Sequence, residues 1–205
     1  MYKIINDPEY NYLRVDPIPS EETVEKYYKE DFYDESQKFF NDSSLEVQLK
    51  DKKFFNSRWE RVYKVCTDCI GNLDQKKIYD IGFGFAQTLL FFKEKGLECS
   101  GIEPSQEGVD YAIKNGINAY CKGIEDKASY SVDIKQDIVM MINVLEHLTE
   151  PTTFIEQLAN SAIEVDKPIY FFAETPCIDL AIENQRAVDF YYEHPSQFTE
   201  KSFER

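Results

Sequence analysis

The sequence lacks any run of eighteen apolar residues, the length a helix needs to cross a hydrocarbon core, so no transmembrane helix is expected. Positive charge is scarce: 23 Lys and Arg stand against 38 Asp and Glu, for a net charge of −15 over 205 residues. Such a surface repels phosphate backbones and anionic bilayers, which excludes general nucleic-acid binding and membrane docking. The opening residues Met1 to Pro8 lack the basic-then-apolar layout of a secretory signal, so the cytoplasm is the expected compartment. Cysteines are few, odd in number and scattered (Cys66, Cys69, Cys99, Cys121, Cys177), which reads as reduced thiols in a chain long enough to fold without staples. Cys66-Thr67-Asp68-Cys69 is the single C-x-x-C. A zinc site takes about four ligands and no second pair follows, so this one reads as helix packing and no metal is expected.

Hydrophobic residues make up 42% of the chain and aromatics 15%, enough for a real core, and the length suits one ordinary domain with an appendage. No internal repeat or low-complexity segment stands out. Two halves differ in pattern. Residues 1–74 are charged, aromatic and expected to be helical. One helix is expected over Glu21–Glu30 behind Ser20 as N-cap. A longer one is expected over Leu45–Ile70, with an apolar stripe through Leu45, Leu49, Trp59, Val62, Cys66 and Cys69 and a stop at Gly71.

From residue 75 the pattern alternates. Strands are expected at Lys77–Ile81, Leu97–Ile102, Ile117–Cys121, Asp137–Ile142 and Pro168–Ala173. Helices are expected at Gln87–Lys95, Gln106–Lys114 and Pro151–Ile163. Strands and helices alternating at these lengths imply an α/β fold with a parallel sheet and right-handed crossovers. Thr199 caps the start of a further helix at the end of the chain, which suggests a larger protein.

The strongest chemical signal is Asp80-Ile81-Gly82-Phe83-Gly84-Phe85-Ala86. A strand runs into a turn whose glycines let backbone approach a ligand, and the next helix aims free N–H groups at that spot. Read blandly, it is a tight turn that binds nothing. Glu103 ends the following strand 21 residues after Gly82, where a carboxylate accepts hydrogen bonds from both hydroxyls of a ribose. A dinucleotide site wants G-x-G-x-x-G, and here the sixth position is Gln87.

The G-x-G-x-A spacing resembles the motif of class I S-adenosylmethionine-dependent methyltransferases. Two further stretches appear in that family's order: Gly101-Ile102-Glu103-Pro104-Ser105, and Val144-Leu145-Glu146-His147-Leu148, which is similar to the "VLEHL" piece after strand four. The resemblance covers about residues 75–175. It implies a Rossmann-like sheet with helices on both faces over 75–205, incomplete at its C-terminal strands. Residues 1–74 would be a helical cap or lid. It implies S-adenosylmethionine as cofactor and methyl transfer to a small-molecule acceptor. Asp80, Gly82 and Gly84 would line the methionine part, and Glu103 the ribose. Glu125 or Asp126 would lie near the adenine, and Asn143 beside the sulfonium. Ala86 departs from the commoner third glycine, and Phe83 and Phe85 are bulkier than usual.

Histidines number two. His147, in the loop after strand four, is read as tying that loop to the sheet. His194 lies in Tyr191-Tyr192-Glu193-His194-Pro195-Ser196-Gln197-Phe198, which resembles a segment of saccharide-modifying methyltransferases. By that resemblance the acceptor is a sugar or nucleotide sugar. His194 is either a general base, oriented by Glu193 with Tyr191 as the next candidate, or a packing residue. Two rival readings are a dehydrogenase on the same sheet type, disfavoured by Gln87, and a partner protein that keeps the fold without turnover. The sequence leaves the oligomeric state open.

Overall fold

The computed structural model describes residues 3–20, 23, 26, 45–123, 136–164, 167–186 and 194–203. In chain order the elements are β1 (Lys3–Asn6), β2 (Leu13–Asp16), α1 (Leu45–Lys50), α2 (Lys52–Ile70), β3 (Lys77–Ile81), α3 (Gln87–Glu94), β4 (Glu98–Glu103), α4 (Gln106–Lys114) and β5 (Asn118–Cys121). There follow β6 (Ile138–Ile142), a 3₁₀ turn (Leu145–His147), α5 (Pro151–Glu164), β7 (Tyr170–Glu174), α6 (Ile178–Glu183), β8 (Ser196–Gln197) and α7 (Glu200–Phe203).

Five strands form one parallel sheet in the order β5-β4-β3-β6-β7. The order reverses at β3, whose neighbours are β4 on one side and β6 on the other. In open sheets of this kind, ligands sit outside the carboxyl ends of the strands at that reversal. The central strands are apolar on both faces, as parallel strands covered by helices must be. In β6, Ile138 and Met140 join the core shared with Trp59, Leu89 and Phe92. Val139 and Met141 join the opposite core with Phe154 and Leu158 of α5. Each large apolar side chain so enclosed contributes on the order of 1.5–3 kcal/mol. No helix among the described residues is long and apolar enough to cross a membrane.

Two expectations change. The helix expected over Leu45–Ile70 is interrupted at Asp51, whose carboxylate accepts the Phe54 N–H at 3.1 Å and caps α2 afresh. The break turns the stripe: Phe55, Trp59, Val62 and Cys66 are buried, while Leu49 and Cys69 are exposed. The N-terminal segment is also not wholly helical. β1 and β2 pair antiparallel, and β2 pairs antiparallel with β8 to make a second, three-stranded sheet. The helix expected over Glu21–Glu30 lies outside the described residues except at Thr23 and Lys26, both helical, with the Thr23 N–H donated to Ser20 Oγ at 3.3 Å.

Candidate functional site

At the carboxyl end of β3 the chain makes three left-handed steps, at Gly82 (φ 73°), Gly84 (φ 56°) and Ala86 (φ 55°). Ala86 caps the start of α3, so an alanine holds a left-handed conformation that glycine adopts more readily. It is enclosed there and donates its N–H to Phe83 O at 2.8 Å. The two glycines serve different ends. A Cβ on Gly82 would meet Val144 Cγ2 at 2.6 Å, so Gly82 lets the loops after β3 and β6 touch across the sheet reversal. A Cβ on Gly84 would meet nothing within 4 Å, so its side faces open space.

Glu103 ends β4 beside this turn. Its Oε2 accepts the Gly84 N–H at 2.8 Å and its Oε1 the Ser105 N–H at 2.9 Å. The carboxylate is thus fixed by backbone donors at both oxygens. Asp80, at the end of β3, is enclosed, and its Oδ1 has no hydrogen-bond partner. Burial, and then the charge of Glu103, holds the Asp80 carboxyl well above the usual carboxylate range. A buried polar atom without a partner is costly to leave so, and it marks a place for a donor or a cation.

Two glycines outside the turn itself, Gly101 and Gly108, build this corner. A Cβ on Gly101 of β4 would lie 2.3 Å from Asp80 O, and one on Gly108 of α4 would lie 2.4 Å from Gly84 O. Gly108 was legible only as a helix-interior glycine, an otherwise unfavourable choice.

On the β6 side, Asn143 is exposed in a left-handed conformation (φ 54°) and donates its N–H to Glu174 O at 2.8 Å. Behind it the 3₁₀ turn carries Glu146, which is buried, and His147, half-buried. Thr175 Oγ1 donates to Glu146 Oε2 at 3.1 Å. Burial pushes the Glu146 carboxyl up to about 7. His194, distant in sequence, lies against His147 edge to face, with ring centroids 4.7 Å apart. The placement has a scaffold: Ser196 Oγ donates to Leu148 O at 2.7 Å, Val15 N–H to Pro195 O at 2.9 Å, and Tyr12 stacks on Phe198. Glu146, His147 and His194 bring one ligand-type atom each within 4.8 Å of one another. Tyr191, Glu193, Glu125 and Asp126 lie outside the described residues.

The chain thus brings Asp80, Gly82, Gly84 and Glu103 together at the ends of β3 and β4, and Glu146, His147 and His194 together after β6. The family model of the methionine biosynthesis protein MetW matches residues 65–169, just over half of the chain. No curated protein matches the sequence. Among solved structures, the plantazolicin methyltransferase BpumL, in complex with a desmethylplantazolicin analogue and S-adenosylhomocysteine, superposes with a TM-score of 0.61. That match has 19% identity and covers 89% of this chain and 72% of that one. The PH0226 protein from Pyrococcus horikoshii OT3 gives a TM-score of 0.53 at 12% identity, over 75% of this chain and 71% of that one. The methyltransferase domain of a bacterial Hen1, CtHen1, gives 0.50 at 21% identity, over 72% and 78%. The sheet order and these superpositions are those of the class I methyltransferase fold, and the chain belongs to the MetW family.

Proposed function

We propose that this protein is an S-adenosylmethionine-dependent methyltransferase acting on a small-molecule acceptor. One observation carries the reading: the open left-handed turn at Gly84 lies hydrogen-bonded to Glu103 and next to the unpartnered Asp80 Oδ1, at the sheet reversal. A ribose, a cationic amino-acid part and close backbone approach are what these groups fit. Glu103 has both oxygens pre-oriented, with lone pairs left for ribose hydroxyls. Asp80 offers a carboxylate oxygen to a cation. Gly84 leaves room where any side chain would intrude. When bound, S-adenosylmethionine supplies a methyl group on a sulfonium, which a nucleophile takes as the carbon–sulfur bond breaks and the electron pair stays on sulfur.

The chain's share of the work is chiefly orientation, which for well-placed pairs is worth effective molarities of ~10⁵–10⁸ M. The histidine pair after β6 is proposed to mark the acceptor side. There His194, with His147 against it, is proposed to activate the acceptor, and Tyr191 and Glu193 are its neighbours in the chain. Asn143, directly after β6, is proposed beside the sulfonium. Glu125 or Asp126 is proposed beside the adenine. Residues before 75 are proposed to cap the acceptor side, supported by the pairing of β2 with the strand that follows His194.

The saccharide acceptor rests on the resemblance of the segment around His194, and the family's description points to methionine biosynthesis. Calorimetry with S-adenosylmethionine, S-adenosylhomocysteine and NAD tests the cofactor. A mass scan of products, with nucleotide sugars and with hydroxylated or amino-bearing small metabolites as acceptors, tests the reaction. Binding of S-adenosylmethionine and not NAD, followed by a product heavier by one methyl group, is expected. Tight NAD binding overturns the cofactor, and binding without any product returns the protein to a non-catalytic role.

A further inference from the structure

We propose that Glu146, His147 and His194 form a site for one divalent first-row transition-metal ion, and that this ion holds the acceptor. The three ligand-type atoms lie within 4.8 Å of one another. Ligands about 2.0–2.2 Å from a shared ion sit roughly 3–4 Å apart, so small side-chain rotations close the set. Two properties make this more than a chance encounter. First, Glu146 is a buried acid, 2% exposed, held by Thr175 and facing the two imidazoles. The nearby Arg58 pairs with Glu174. A buried carboxylate facing two imidazoles is suited to a cation, which would offset its charge where water does not. Second, the two histidines come from distant parts of the chain and are held together by dedicated contacts. The Ser196-to-Leu148 hydrogen bond clamps β8 on the loop after β6. The Val15-to-Pro195 bond fixes the residue that follows His194.

The donor set selects the metal. Two imidazole nitrogens and one carboxylate oxygen suit Zn²⁺, Co²⁺, Mn²⁺ or Fe²⁺, and disfavour Mg²⁺ and Ca²⁺, which prefer all-oxygen shells. Thr175, donating to Glu146 Oε2, orients the carboxylate as outer groups of metal sites commonly do. Three protein ligands leave positions open. Glu146 and His147 sit in the turn that follows β6 at the carboxyl edge of the sheet, a few residues after Asn143, on the side where the acceptor is proposed to stand. An acceptor oxygen bound to the ion loses its proton more readily, the proton passing to solvent, and is held for in-line attack. The inference rests on the methyltransferase reading for its purpose, and replaces direct proton removal by His194 with polarisation through a cation that His194 holds.

The test uses the full chain, stripped with a chelator and titrated with Co²⁺ and Mn²⁺, with Mg²⁺ as control. Calorimetry reads stoichiometry and affinity, and the Co²⁺ absorption spectrum reads ligand type, because the five free cysteines are the competing donors. Expected are one equivalent of Co²⁺ in a nitrogen–oxygen environment without thiolate charge-transfer bands, and at least tenfold weaker binding in His147→Ala and in His194→Ala, each with an unchanged circular dichroism spectrum. Either variant suffices if the other fails to fold. Thiolate bands, Co²⁺ binding retained in a folded variant, or no stoichiometric binding at all overturns the site. Binding of S-adenosylmethionine to the stripped protein is measured in parallel: its loss overturns the methyltransferase reading and leaves the metal result standing, and its presence with no metal binding does the reverse.

Discussion

Gly108 of α4 packs against Gly84 backbone to backbone: a Cβ at residue 108 would lie 2.4 Å from the Gly84 carbonyl oxygen and 3.1 Å from Glu103 Cγ. One helix thereby sets both the turn and the carboxylate proposed to hold the cofactor. Gly108→Ala should improve helix propensity by up to ~1 kcal/mol yet force the Gly84 carbonyl or α4 to move. Overpacking of this kind costs about 1–3 kcal/mol. The expected result is a fall in S-adenosylmethionine affinity of tenfold or more with a melting temperature changed by only a few degrees, read by calorimetry and thermal unfolding. Unchanged affinity would show that α4 does not position the turn.

The two glycines of the turn should separate folding from binding. Gly82→Ala drives a methyl group to within 2.6 Å of Val144 Cγ2, and Gly84→Ala meets open space. Both positions have positive φ, so each alanine carries a backbone cost of about 1–2 kcal/mol. Gly82→Ala is therefore expected to melt lower than Gly84→Ala, and Gly84→Ala to lose cofactor binding out of proportion to its stability. Equal affinity in Gly84→Ala and the unmodified protein would remove the cofactor from this turn.

The parallel sheet was legible because short strand segments alternate with helices between turn signals, with β6 an almost continuous apolar run, and β3 and α4 fall on the expected residues. Strand ends moved by one or two residues, and β4 runs on to include Glu103. The small second sheet was not legible. Its strands have four, four and two residues and carry mixed polar faces, and β2 pairs with β8 across most of the chain length. No local pattern reports such pairing. The same reason hid the approach of His194 to His147, which depends on β8. The turn and the carboxylate proposed to hold the cofactor were legible because they follow one another along the chain. The packing roles of Gly101 and Gly108 were not, because each is a contact, with Asp80 and with Gly84, that only folding creates.

Glu103 accepts from Gly84 and Ser105, so its removal frees two backbone donors as well as the proposed ribose partner. Glu103→Ala is expected to weaken S-adenosylmethionine binding by roughly 1.5–3 kcal/mol, the worth of hydrogen bonds to a charged acceptor. Glu103→Gln keeps the shape and one acceptor oxygen and should lose less. Calorimetry showing no loss in the alanine variant would sink the ribose assignment.

The raised Asp80 carboxyl implies a pH signature. Burial and Glu103 favour its protonated form in the free protein. The ammonium and sulfonium charges of bound S-adenosylmethionine favour the ionised form. Binding should then expel a proton, and affinity should rise with pH from the ordinary carboxylate range near about 4 up to the raised value in the free protein. Calorimetry in two buffers of different ionisation enthalpy reads the proton directly. Release in the unmodified protein and none in Asp80→Asn is expected. Equal release in both would place the titrating group elsewhere.

His194→Ala tests the acceptor side. Loss of a group that activates the acceptor lowers turnover by ~10²–10⁴. Affinity for S-adenosylmethionine should hold, because His194 is proposed to act on the acceptor and Gly84 and Glu103 on the cofactor. Single-turnover rates separate this from slow product release. If His194 acts through a cation shared with His147 and Glu146, chelator treatment of the unmodified protein should lower the rate about as far as the substitution does. The variant itself should then lose little more on chelation, since groups that act as one unit are not additive. A variant that loses turnover while chelation leaves the unmodified protein at full rate would make His194 a direct base. A near-normal rate in His194→Ala would instead move the search to Tyr191, and loss of S-adenosylmethionine binding in it would mean that the segment covers the cofactor.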